Sequence, residues 1–144
     1  MNTTSTHSPV NGFTLWVRYA LIAVCILFLI GGVVQFFLAG LSVFDGPEYW
    51  SDHVDLGRML GFLTYLMPIL ALIGRVGMPR IGHAFVVAIL FFVQSFLANV
   101  DTGWVAAFHP LNGLVLMGAA SSLASNVRRL GQPEQGNPPA PAVP

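Results

Sequence analysis

The chain has 144 residues, 55% of them hydrophobic and only 8% charged, with six arginines and no lysine balanced by six Asp+Glu, and its mean hydropathy is +0.72. Soluble domains carry roughly 25% charged residues, so the polar surface is too small to cover a water-soluble globule and a soluble enzyme is excluded. Without a basic field there is no footprint for nucleic acid, and the single cysteine, Cys25, lying in an apolar run, offers neither a disulfide framework nor a thiolate metal cluster.

In chain order, residues 1–14 are polar and predicted to be disordered, with His7 inert within them. A first helix is predicted over 15–41, since residues 19–44 carry no charge. That run exceeds the 7–15 residues of a signal-peptide core, so it is read as a span. A second helix is predicted over 50–74. Its charge-free stretch is only 59–74, and it reaches spanning length only with Asp55 and Arg58 in its outer turns. Helices over 80–100 and 104–128 follow, Pro68 is expected to kink the second helix, and Pro110 falls in the first turns of the fourth. The Pro-rich tail over 131–144 cannot pack as a helix. About 20 helical residues cross a hydrocarbon core of roughly 30 Å, and apolar segments in lipid must be helical to satisfy their own backbone groups. The expected fold is an all-α integral membrane four-helix bundle, residues 15–130. Trp16, Trp50, Trp104 and Tyr49 read as interfacial belt residues.

Orientation follows from charge. Arg18, Arg75, Arg80, Arg128 and Arg129 fall on one side, and Asp45, Glu48, Asp52, Asp55 and Asp101 on the other. The positive-inside rule predicts a multi-pass protein of the cytoplasmic membrane with both termini cytoplasmic.

The two halves resemble each other. Val34-Gln35-Phe36-Phe37-Leu38-Ala39 matches Val93-Gln94-Ser95-Phe96-Leu97-Ala98 at five of six positions. Each run leads through an acidic loop and a tryptophan to a histidine followed four residues later by glycine: His53 and Gly57, His109 and Gly113. Composition bias generates Val, Phe, Leu and Ala matches, but not Gln, Trp and His-x-x-x-Gly in one order. A tandem repeat of two helices is therefore predicted, related by a twofold axis along the membrane normal. That symmetry sets His53 and His109 at matching depth near the outer face.

Ionisable residues in spans are functional candidates by default. Two neutral imidazoles across an apolar bundle suit axial coordination of one haem iron, and bundle cores house such cofactors. On this reading His53 and His109 are the metal ligands, Gly57 and Gly113 make room for a porphyrin, Gln35 and Gln94 lie beside the site, and Arg58 pairs with a haem propionate. The bland readings stand beside it: hydrated interfacial histidines without ligand, glycines for close helix packing, glutamines as interhelical glue, and Arg58 paired only with Asp55. His83 has no repeat counterpart and is not expected to bind a ligand.

A Gln-bearing odd helix followed by a His at the outer start of the next helix resembles one half of haem A synthase, an eight-helix family built from two such halves. The chain is more similar still to an uncharacterised family of small four-helix bacterial membrane proteins, through Val34-Gln35-Phe36-Phe37-Leu38-Ala39-Gly40 and Phe108-His109-Pro110-Leu111-Asn112. The resemblance implies that His53 and His109 are haem ligands. Haem A synthases place Glu and Arg where this chain has Trp50 and Val54, and many carry an outer-loop cysteine pair that it lacks. The resemblance thus extends to the binding scaffold and does not carry the oxidation of a haem methyl group. The leading expectation is a b-type haem protein for electron transfer or haem handling, in contact with the lipid bilayer and with a membrane redox partner or further copies of itself. The alternatives are a cofactor-free accessory membrane subunit and a haem- or quinone-dependent membrane oxidoreductase.

Overall fold

A computed structural model describes residues 11–131. The expectations for residues 1–10, His7 included, and for the tail from 132 onward lie outside the described residues. The rest is helical: α1 Gly12–Phe44, α2 Tyr49–Ile73, α3 Met78–Ala98, a single turn α4 Gly103–Ala106, and α5 Phe108–Arg128, closed by a 3-10 turn Arg129–Gly131. Asn11 explains why α1 starts at Gly12. Its side-chain oxygen accepts the Thr14 N–H at 2.8 Å, satisfying one of the donors a helix start leaves free.

The fourth predicted helix is interrupted at Ala107, which separates α4 from α5. Pro110 accounts for the break. It has no N–H for the carbonyl four residues earlier, and its ring crowds that carbonyl. By contrast α2 runs through Pro68 without interruption.

The α2–α3 turn is tightly specified. The N–H of Val76 reaches the Ala71 carbonyl at 3.3 Å, and the N–H of Arg75 reaches that of Leu72 at 3.1 Å. This pair of bonds is the Schellman closure of a helix, which demands a left-handed residue at its centre. That residue is Arg75, at φ 47°. Val76 then turns inward and is buried, and Gly77, at φ 89°, supplies a conformation closed to side-chain-bearing residues.

Helices α1 and α3 each pack against both α2 and α5, while the backbones of α1 and α3, and those of α2 and α5, do not approach closely. The long helices therefore occupy the four corners of a helical bundle. Leu21, Cys25 and Phe28 of α1, Leu60, Met67 and Ala71 of α2, Ala84 and Val87 of α3, and Leu116, Ala120 and Leu123 of α5 form its buried centre. Thr64, the buried polar side chain of α2, is satisfied by donating to the Gly61 carbonyl at 2.8 Å.

Two arginines tie the helix ends together. Arg18 of α1 donates from Nε to the Gly74 carbonyl at 2.8 Å and from Nη2 to the Arg75 carbonyl at 3.1 Å. Arg80 of α3 donates from Nε to the Asn126 carbonyl at 2.9 Å and from Nη1 to the Val76 carbonyl at 3.2 Å. Each guanidinium so caps the carboxyl end of the antiparallel neighbour, where carbonyls lack partners and the helix dipole favours a cation.

Large apolar side chains cover the outside: Phe37, Phe62, Ile89, Phe92 and Phe96 are all more than half exposed. Water would penalise such a surface, whereas lipid tails match it. Helices α1, α2 and α3 are long and apolar enough to cross a membrane. Helix α5 equals α3 in length but is less apolar, since it carries His109, Asn112, Ser121, Ser122, Ser125 and Asn126.

Candidate histidine site

Helices α2 and α5 stand at opposite corners, and each carries its histidine close to its amino end. The structure brings His53 and His109 together across the bundle, with ring centres 6.3 Å apart and ring planes at 58°. Both rings are half-buried.

Each histidine is held by the glutamine of the preceding long helix. His53 Nδ1 lies 3.1 Å from the Gln35 carbonyl, and His109 Nδ1 lies 3.1 Å from the Gln94 carbonyl. A backbone carbonyl only accepts, so in both rings Nδ1 carries the proton and Nε2 bears the lone pair. That tautomer is the one in which an imidazole binds a metal through Nε2 with its other nitrogen anchored.

The glycines sit beside the glutamine side chains. A Cβ at position 57 would lie 3.3 Å from Gln35 Nε2, and one at 113 would lie 3.3 Å from Gln94 Nε2. A helical carbonyl points toward the residue four positions on, so a bare residue 57 opens the approach to the His53 carbonyl. Gln35 Nε2 uses it, donating to that carbonyl at 2.8 Å. The space at Gly57 and Gly113 is thus filled, at least in part, by carboxamides.

Beyond these common contacts the surroundings of the two histidines differ. Gln94 Nε2 donates to the ring of His109 at Nε2, 3.1 Å away. Its Oε1 accepts from Asn112 Nδ2 at 2.6 Å, and Asn112 also donates to the Leu90 carbonyl at 3.0 Å. In register with the histidines, the residue matching Asn112 is Leu56, which has no amide to offer. Gln35 Oε1 is accordingly buried with no hydrogen-bond partner. Trp50 stacks on His53 instead, with ring centres 4.9 Å apart and planes 14° from parallel.

Arg58 does not join the histidines. It donates to Asp55 at 2.8 Å, and both side chains are about 70% exposed. The apolar groove between α2 and α3, lined by residues such as Tyr65, Pro68, Phe85 and Phe92, contains none of the site residues. Sequence reasoning passed over Asn112 and the contact role of Trp50. Asn112 is a strongly polar residue three positions after His109, on the same helix face, which is a legible signal. The stacking of Trp50 has no counterpart in spacing.

As a donor set, the pair suits a metal that takes two protein nitrogens and brings its remaining ligands in a chelating group. A metal bound at roughly 2 Å to one nitrogen of each ring would hold the ring centres roughly 6 Å apart; the centres lie 6.3 Å apart, with His109 Nε2 turned to the Gln94 carboxamide. No group of three or more His, Cys, Asp or Glu side chains fit to hold a metal ion is found among the described residues. No curated protein and no solved structure matches the chain. Residues 35–103, from Gln35 to the start of α4, match a family model described as a family of unknown function (DUF6220), and over that stretch the chain is similar to this uncharacterised family.

Proposed function

We propose that this is a small b-type haem protein of the cytoplasmic membrane, with His53 and His109 as the two axial ligands near the outer face, serving electron transfer or haem handling. The observation that supports it most is the pair of imidazoles with ring centres 6.3 Å apart, each with its Nδ1 proton committed to a carbonyl. The reading includes four spans, with α5 as the fourth, a twofold-related tandem repeat, and both termini on the arginine-rich side. A haem held between two imidazoles supplies one-electron exchange with no open iron position. The chain's own part is to orient both rings, keep water from the apolar interior and fix the tautomer. Its exposed apolar faces contact lipid.

The test is haem titration of the detergent-purified protein, followed by a reduced-minus-oxidised spectrum. A saturable Soret band at one haem per chain, lost in His53→Ala and in His109→Ala with helicity retained by circular dichroism, is the expected outcome. Folded protein that takes up no haem defeats the proposal. A cofactor-free accessory subunit is the second reading, and one observation favours it: His109 is already bonded within the chain at both ring nitrogens. On that reading both alanine variants leave haem absorbance at background, as does the parent.

A further inference from the structure

The two histidines occupy matching places but are not equally free. His53 is held at Nδ1 only, and its Nε2 makes no hydrogen bond among the described residues. The Gln35 side chain donates to the His53 backbone carbonyl instead. His109 is held at both ends of the ring: Nδ1 by the Gln94 carbonyl and Nε2 by the Gln94 carboxamide. The Gln94 amide is itself fixed, because Asn112 takes its oxygen at 2.6 Å. With that oxygen accepting from Asn112, its NH2 group is the end turned to His109, and the imidazole lone pair is the acceptor it meets. Leu56 stands where the first half would need an asparagine to build the same arrangement.

We propose that Gln94, positioned by Asn112, is a latch on His109 that occupies the lone pair a metal would use. His53 is then the open ligand and His109 the latched one, and uptake of haem breaks the Gln94–His109 bond. This rests on the haem reading above and adds an order and an asymmetry to it. Gln94 and Asn112 are positioning residues, acting through the ring of His109.

Two measurements test the latch, and only the first needs haem. In stopped-flow uptake of haemin by protein in detergent, Gln94→Leu should bind about five-fold faster or tighter than the parent, the weight of one net hydrogen bond. Asn112→Leu should move the same way by less, and Gln35→Leu should give no gain, since its carboxamide is not on an imidazole nitrogen. A Gln94→Leu variant that matches or lags the parent, or a Gln35→Leu variant that gains equally, overturns the latch even when haem binds. The second measurement is 15N NMR of the imidazoles in haem-free protein. The His109 Nε2 resonance should be shifted from that of His53 in the direction of an accepted hydrogen bond, with Asn112→Leu reducing the difference. Two indistinguishable Nε2 resonances in the parent overturn the latch without reference to haem, whereas a clear difference in protein that takes up no haem leaves the latch standing and removes the haem reading.

Discussion

Replacing Arg18 or Arg80 by methionine keeps an apolar stem and removes the guanidinium, which isolates the capping role. Arg18 donates at 2.8 and 3.1 Å to the carbonyls ending α2, and Arg80 at 2.9 and 3.2 Å to those of Asn126 and Val76. A hydrogen bond to a charged group contributes about 1.5–3 kcal/mol, and a cation at a helix carboxyl end a further 0.3–1 kcal/mol, roughly. The second bond of each is the longer, and the Arg18–Arg75 contact is exposed, so only one bond per arginine counts at full weight. Each substitution is therefore expected to destabilise the protein by about 2–4 kcal/mol. Arg58→Met is the internal control. Its ion pair with Asp55 is largely exposed, and such pairs are worth about 0–1 kcal/mol. Reversible unfolding in mixed micelles, titrated with SDS and followed by circular dichroism, ranks all three. Equal losses at Arg18 and Arg58, or a loss at Arg80 below about 0.5 kcal/mol, would refute the capping argument.

Other substitutions probe the turn and the site. Arg75→Gly should stabilise the protein by roughly 0.5–1 kcal/mol in the same assay, because Arg75 holds a left-handed conformation at φ 47° that glycine adopts without strain. Gly57→Val and Gly113→Val should each displace the neighbouring carboxamide, which lies 3.3 Å from the Cβ position. The expected cost is about 1–3 kcal/mol, the range for a buried polar group left unpaired, again read by SDS titration. Trp50→Ala removes the ring stacked on His53 and should weaken haem uptake about three- to ten-fold, as expected for loss of an aromatic contact of roughly 0.5–1.5 kcal/mol, with no comparable effect from Trp104→Ala.

Much of the framework was readable from charge and hydropathy, for lipid leaves the backbone little choice but helix. That the glutamines and histidines mark one neighbourhood was readable too, because Gln and His stand out against Val, Phe and Leu, but that each glutamine holds one histidine emerges only from the packing. What the glycines accommodate was not. Room for a porphyrin and room for a carboxamide make the same demand on positions 57 and 113, and only the placement of the Gln35 and Gln94 side chains distinguishes them. The capping by Arg18 and Arg80 was hidden for a related reason. Arginines at helix starts satisfy the positive-inside pattern whether they point to solvent or to a neighbouring helix end, so their partners emerge only from packing. The break at Ala107 was half legible, since Pro110 announces a disturbed helix start but not on which residue the chain turns. The lower apolarity of α5 reflects in part the Asn112 side chain, which is spent on Gln94 and Leu90.

Electron paramagnetic resonance of the ferric, haem-loaded protein tests the central claim most directly, because spin state reports how many imidazoles hold the iron. The account predicts a low-spin signal in the parent, converted to high spin in both His53→Ala and His109→Ala. A low-spin signal that survives either substitution, or a parent that is high-spin at full loading, would contradict it.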